Sequence, residues 1–206
     1  FNESQEWIKQ YQNSNNGRLK MDMSIHAEYT NQEKYIREVA EYTRDCGLRM
    51  QIHASESENE HLECIRKYGK TPIEFFYDTG VLSSPTTLAH CVYVTDNDMD
   101  IIRDCGAFVS HNATSNLKLG SGIARVPQML NKGVCVSLGT DGAASNNTLD
   151  IMREYQLVSI LHKGYNRDAE ATIASQILEK DYGAQEECLD MMKDLGIREE
   201  DIVTNM

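Results

Sequence analysis

No Cys-x-x-Cys pair occurs anywhere in the 206 residues, although six cysteines stand at positions 46, 64, 91, 105, 135 and 188. Most of these thiols end apolar runs. The expectation is therefore buried, free cysteines in a reducing compartment, with neither a disulfide scaffold nor a structural zinc knuckle. The missing Pro-Cys-x-x-Cys also excludes zinc deaminases of the cytidine type, which depend on that pair. Basic residues are scarce: 20 Lys and Arg face 32 Asp and Glu, for a net charge of −12. Without a basic stripe, neither nucleic acid nor an anionic membrane surface is an expected partner. No apolar run approaches the roughly 18 residues that span a bilayer. The opening Phe1-Asn2-Glu3-Ser4-Gln5-Glu6-Trp7 has neither the basic region nor the apolar stretch of a signal peptide. A cytoplasmic location is expected. The chain also lacks an initiator Met, which predicts a start partway through a longer polypeptide.

What is present is a recurring short pattern, in a chain whose 40% hydrophobic and 25% charged residues match globular averages. Arg44-Asp45-Cys46-Gly47 precedes the apolar run 48–52 and then His53. Arg103-Asp104-Cys105-Gly106 precedes 107–109 and then Ser110-His111-Asn112. Asn131-Lys132-Gly133 precedes 134–138 and then Gly139-Thr140-Asp141. Each copy reads as a helix closed by a glycine that tolerates left-handed backbone, then a strand, then a polar cluster at the strand's far end. Two further runs, 18–24 before His26 and 86–89 before His90, complete five βα units.

Between them, Thr30 or Asn31 is expected to cap a helix carrying Tyr35, Val39 and Tyr42 inward, and Thr95 to cap 96–103. After Asp141 the composition predicts helices over 150–163, 169–180, 185–195 and 199–204, with a loop around 164–170. Five successive βα units imply a parallel sheet with its chemistry on the C-terminal edge. Gly120-Ser121-Gly122 lacks the third glycine of a phosphate loop and follows no clear strand, so an open nucleotide-binding sheet is the weaker choice. The expected fold class is α/β, an incomplete (β/α)8 barrel, because a closed one takes about 250 residues.

His26, His53, His90 and Asp141 each lie just beyond an apolar run. A lone histidine after a strand is ordinarily packed or solvated, but four metal-competent side chains at equivalent strand ends make a site. Nitrogen and carboxylate donors suit one divalent ion, zinc first and iron second. Such an ion makes hydroxide available at neutral pH. Glu56, three residues after His53, is the candidate proton shuttle. His111 follows the fourth strand and is ambiguous. His61 and His162 fall within helical segments and are expected at the surface, as are Glu58 and Glu60 in a solvated first turn.

Three stretches carry a resemblance: Leu88-Ala89-His90-Cys91, the run 110–122 (SHNATSNLKLGSG) and the run 139–147 (GTDGAASNN). Together they resemble the amidohydrolase superfamily, above all its 5-methylthioadenosine/S-adenosylhomocysteine deaminases, with chlorohydrolases and guanine deaminases as relatives. The resemblance implies strands 4–8 of a metal-dependent hydrolase barrel over residues 1–206, without strands 1–3 or the small β-sandwich. It implies His53 and Asp141 as metal ligands, His90 as orienter of the hydroxide and a further candidate ligand, Glu56 as proton donor to the ring, and His26 as a substrate contact. The implied reaction is hydrolytic deamination of an aminopurine nucleoside or related small heterocycle, hydroxide attacking a ring carbon and ammonia leaving. Another amidohydrolase chemistry, such as triazine dechlorination, guanine deamination or cyclic-amide hydrolysis, shares these residues. A truncated, inactive chain is the third alternative, because the family's His-x-His pair occurs nowhere here. A homo-oligomer is compatible with the sequence. Where relatives carry proline beside the first histidine, this chain has Glu28, which is expected to add negative charge at the substrate mouth.

Overall fold

A computed structural model describes residues 1–171. The expected helices over 169–180, 185–195 and 199–204, and Cys188, lie wholly or largely outside the described residues. The chain begins with α1 (Asn2–Tyr11) and a tight turn, α2 (Ser14–Gly17), and then alternates strand and helix. The strands are β1 (Met23–Ser24), β2 (Met50–Ala54), β3 (Thr86–His90), β4 (Phe108–His111) and β5 (Cys135–Leu138). Between them lie α3 (Glu33–Asp45), the pair α4 (Glu58–Tyr68) and α5 (Pro72–Asp78), α6 (Asp96–Asp104), and the short α7 (Ala113–Lys118) and α8 (Val126–Asn131). After β5 come α9 (Ala143–Asn146) and α10 (Ile151–Asn166). The five strands form one parallel sheet in chain order, β1-β2-β3-β4-β5.

Consecutive order follows from the repeat, because each helix returns the chain to the start of the neighbouring strand. The helix ends anticipated from glycine are present: Gly47, Gly106 and Gly133 all take positive φ, where a side chain would be strained. Thr95 caps α6 through Asp98 N–H, and Asp150 caps α10 through Met152 N–H. Three boundaries differ from expectation. α3 is preceded by Gln32 without a side-chain cap, and its buried face is Ile36, Val39, Ala40 and Thr43, one position away from the tyrosine stripe. β1 is only two residues long, shorter than the run 18–24 expected for it. α10 continues through Gly164 to Asn166, so the loop expected there is shorter.

Alternate strand residues separate two faces. Met50, Ile52, Leu88, Val109 and Val136 lie at 1% exposure or less, under the helices. Gln51 and Phe108 on the other face are open to solvent, and His53, Thr87, Ser110 and Ser137 are half-buried there. Each fully buried aliphatic side chain on the helix-covered face contributes about 1.5–3 kcal/mol relative to exposure. Among the described residues Cys46, Cys64, Cys91 and Cys105 are free thiols; Cys64 and Cys91 are buried, Cys105 and Cys135 half-buried, and Cys46 exposed. Burial of the thiols is thus less general than their positions suggested. No helix among the described residues is long and apolar enough to cross a membrane.

His162, expected at the surface, is fully buried on α10 and meets His111 at the tip of β4, Nε2 to Nε2 at 3.3 Å. One imidazole donates and the other accepts, so the accepting ring must be neutral. Burial, then the neighbouring imidazoles, pushes the His111 pKa down to about 3, and burial pushes His162 down to about 4. Unfolded histidine takes its proton near pH 6.5, so the unfolded chain binds more protons below that value. The stabilisation is complete above about pH 6.5 and is lost as pH falls towards 4. Chemical denaturation between pH 7 and 4 is expected to show stability falling with acid, with a shallower slope in His162→Leu. An unchanged slope in that variant would remove the pair as its cause.

Candidate metal and active site

Each strand delivers its functional side chain at or just past its C-terminal end. His53 is the fourth residue of β2 and His90 the last of β3; His26 follows β1 by two residues and Asp141 follows β5 by three. The chain turns sharply at these tips, and Ser55, His90, Cys91 and Asp141 all adopt positive φ. Non-glycine residues in that region cost about 1–3 kcal/mol each, so the surroundings must hold them there.

Those surroundings are hydrogen bonds that also orient the side chains. His53 Nδ1 donates to the His26 carbonyl at 2.8 Å, and the His53 N–H donates to the same oxygen at 3.0 Å. A carbonyl only accepts, so His53 carries its proton on Nδ1 and leaves Nε2 as a lone pair. His90, 1% exposed, pairs Nδ1 with Asn116 Oδ1 at 2.8 Å, again leaving Nε2 free. Asp141 Oδ2 accepts from Ser115 Oγ at 2.6 Å and Ser145 Oγ at 2.5 Å. Burial by itself would raise the Asp141 pKa. The two hydroxyls, the Gly142 N–H and the nearby His90 outweigh it and hold the carboxyl below its ordinary value.

Donor atoms of His53, His90 and Asp141 lie within 4.8 Å of one another. His26 flanks them, its ring centroid 4.6 Å from that of His53, while His53 stacks on His90 at 5.3 Å. Glu56 is half-buried, with Oε2 3.7 Å from His90 Nε2 and Oε1 accepting from Ser121 Oγ at 3.4 Å. All five residues singled out in the sequence therefore gather at one rim.

Other expectations are corrected. Glu58 is exposed, but Glu60 is buried and bonded to backbone, and His61 is buried with Nδ1 3.2 Å from Ser55 Oγ. Both side chains turn inward from α4 to secure the strand exit at Ser55. Glu28 adds no charge at the mouth. It is 1% exposed, neither carboxyl oxygen meets a partner among the described residues, and burial followed by Glu60 pushes its pKa up to about 8. It is mostly protonated at neutral pH. His111 is fully buried beneath the rim, with His162. Ser115, Asn116 and Ser145 were given no site role in the sequence, although they lie within the two runs, 110–122 and 139–147, that carry the resemblance.

The family model described as "Amidohydrolase family" matches residues 2–180. The chain belongs to the amidohydrolase family. It is 45% identical over 163 residues to a 5-methylthioadenosine/S-adenosylhomocysteine deaminase of Acetivibrio thermocellus, covering 79% of this chain and 38% of that protein. A 5'-deoxyadenosine deaminase of Methanopyrus kandleri is 42% identical over 162 residues, with the same coverage of both chains, 79% and 38%. The chain thus spans about two-fifths of the length of these curated relatives. Among solved structures, an adenosine deaminase from Xanthomonas campestris with bound zinc superposes with TM-score 0.80 at 25% identity, over 96% of this chain and 43% of that one. An atrazine chlorohydrolase from Arthrobacter aurescens complexed with zinc gives 0.82 at 23% identity, over 92% and 42%. The five parallel strands are accordingly part of an amidohydrolase TIM-type barrel.

Gly139 sits where the β5 exit crosses the tip of β4. A Cβ there would collide with Asn112 Oδ1 and Ser110 Oγ. Gly139→Ala must displace either those two side-chain ends or the segment that carries Asp141. A stability loss of about 1–3 kcal/mol is expected in denaturant titration; wild-type stability would show that the crossing has slack.

Proposed function

We propose that this chain is the strand 4–8 portion of a metal-dependent hydrolytic deaminase acting on an adenosine-like nucleoside. The observation that carries the reading is 45% identity to a 5-methylthioadenosine/S-adenosylhomocysteine deaminase over 163 residues, 79% of this chain. In this reading the partner is a small nucleoside or related heterocycle, and strands 1–3 and a β-sandwich belong to segments outside these 206 residues.

The donor set fits a divalent ion. Two imidazoles whose Nδ1 atoms are already engaged offer Nε2 lone pairs, and a carboxylate kept ionised faces them within 4.8 Å. Three protein ligands of this kind are the usual set of a catalytic zinc site. His53 and Asp141 would hold the ion, with His90 as a third donor or as the residue that orients the attacking oxygen. Zinc is the favoured metal and iron the alternative. When bound, the ion supplies acidification of a water molecule, which makes hydroxide available at neutral pH for addition to the ring carbon bearing the amine.

The chain's own residues account for the proton traffic. Asp141 Oδ2 is occupied by two serine hydroxyls, so Oδ1 is the oxygen left to accept a proton from the nucleophile and pass it to the amine, which then leaves as ammonia. Glu56, beside His90 and bonded to Ser121, would protonate the ring nitrogen as the carbon becomes tetrahedral. His90 would steady the developing oxyanion. His26, exposed at the mouth, would contact the substrate.

The test is ammonia release from a panel of adenosine-like nucleosides by the intact protein, run alongside triazine and cyclic-amide substrates. Glu56→Gln is expected to lower turnover by about 10²–10⁴-fold while retaining metal. Near-normal ammonia release from that variant would take Glu56 out of the mechanism; chloride or a ring-opened product as the main outcome would replace deamination.

A further inference from the structure

Glu60 is the third residue of α4, a place from which a glutamate ordinarily reaches back to a single N–H and otherwise faces water. Here it is 8% exposed, and its two oxygens accept from three successive backbone N–H groups: Ser55 at 2.8 Å, Glu56 at 2.7 Å and Ser57 at 3.3 Å. The Ser57 bond belongs to a capping box, which Ser57 Oγ completes by accepting from Glu60 N–H at 3.3 Å. The bonds to Ser55 and Glu56 lie upstream of the helix and contribute nothing to capping it.

They hold the strand exit instead. Ser55 is the residue forced into positive φ, and its carbonyl accepts from both Val92 and Tyr93 N–H, beyond the exit of β3. One carboxylate offers two oxygens and so can take all three N–H bonds at once, which suits it to fixing a strained turn. From that turn the Glu56 side chain projects to within 3.7 Å of His90 Nε2.

We propose that Glu60 is a positioning residue, which fixes the backbone of residues 55–57 so that the Glu56 carboxylate faces the rim at His90. The inference rests on the proton-shuttle role proposed above for Glu56. Glu60 itself touches neither the rim donors nor a substrate position; it acts through the backbone.

Glu60→Gln preserves shape but replaces one accepting oxygen with a donating NH2. In the intact protein, turnover is expected to fall about 10- to 100-fold with KM within threefold, in line with the cost of misplacing a catalytic group by about 1 Å. Bound metal should be unchanged, and hydrogen exchange at the amides of 55, 56 and 57 should accelerate about tenfold over wild type while the interior of α4 stays protected. Ser57→Ala is the control, because it breaks the helix cap and leaves the two upstream bonds intact; it should keep turnover within threefold. Equal losses in Ser57→Ala and Glu60→Gln would reduce Glu60 to a helix cap and overturn the proposal, as would full turnover in Glu60→Gln. If Glu60→Gln does not fold, Glu60→Asp takes its place with the same expectations, and failure of both to fold would make the carboxylate a folding determinant and also overturn the proposal. Should Glu56→Gln retain turnover, the functional reading fails by itself, and the exchange data still show whether Glu60 holds the loop.

Discussion

The site depends on one geometric constraint: side chains far apart in sequence converge only because their strands run parallel and side by side. β2, β3 and β5 end on the same edge of the sheet, so residues 53, 90 and 141 come within 4.8 Å of one another although 88 positions separate the first from the last. The helices covering the other face keep that edge rigid. Without them, three groups that prefer water would not remain crowded at one rim.

Crowding has a conformational cost, concentrated at the strand exits. Ser55, His90 and Asp141 take backbone angles that unconstrained residues avoid, and each is held by a distinct device. Glu60 secures the first through its carboxylate, Asn116 anchors the ring of the second, and Ser115 with Ser145 grips the third. A further layer holds these devices in place. Glu154, fully buried on α10, accepts from Thr114 N–H and from Asn146 Nδ2, tying α7 and α9 to the same helix. Strain at the rim is thus offset by polar contacts one layer below it, as expected where a site must be preorganised.

Period and position made most of the architecture legible. A glycine-closed helix, a short apolar run and a polar cluster, repeated along the chain, are enough to specify parallel strands in consecutive order. The same repeat marked His26, His53, His90 and Asp141, because the polar residue after a buried strand has nowhere to go but the rim. What stayed hidden were residues whose role depends on the direction in which a helix faces. Glu60 and Glu58 look alike in sequence, yet only Glu60 points inward, since a two-residue step on a helix turns a side chain through about 200°. Glu28 reads as a surface charge until its burial against Glu60 is known. His162 needed α10 to be docked on β4 before its partner could be seen. Long-range packing decides each of these cases, and local pattern does not encode it.

The central claim is that imidazoles from β2 and β3 and a carboxylate from beyond β5 make one coordination shell. X-ray absorption at the zinc edge of the zinc-loaded intact protein measures that shell directly. The expected result is nitrogen and oxygen donors only, at about 2.0–2.2 Å, with imidazole scattering that diminishes in His53→Ala and an oxygen contribution that diminishes in Asp141→Ala. Sulfur donors at about 2.3 Å, or a spectrum indifferent to both substitutions, would contradict it.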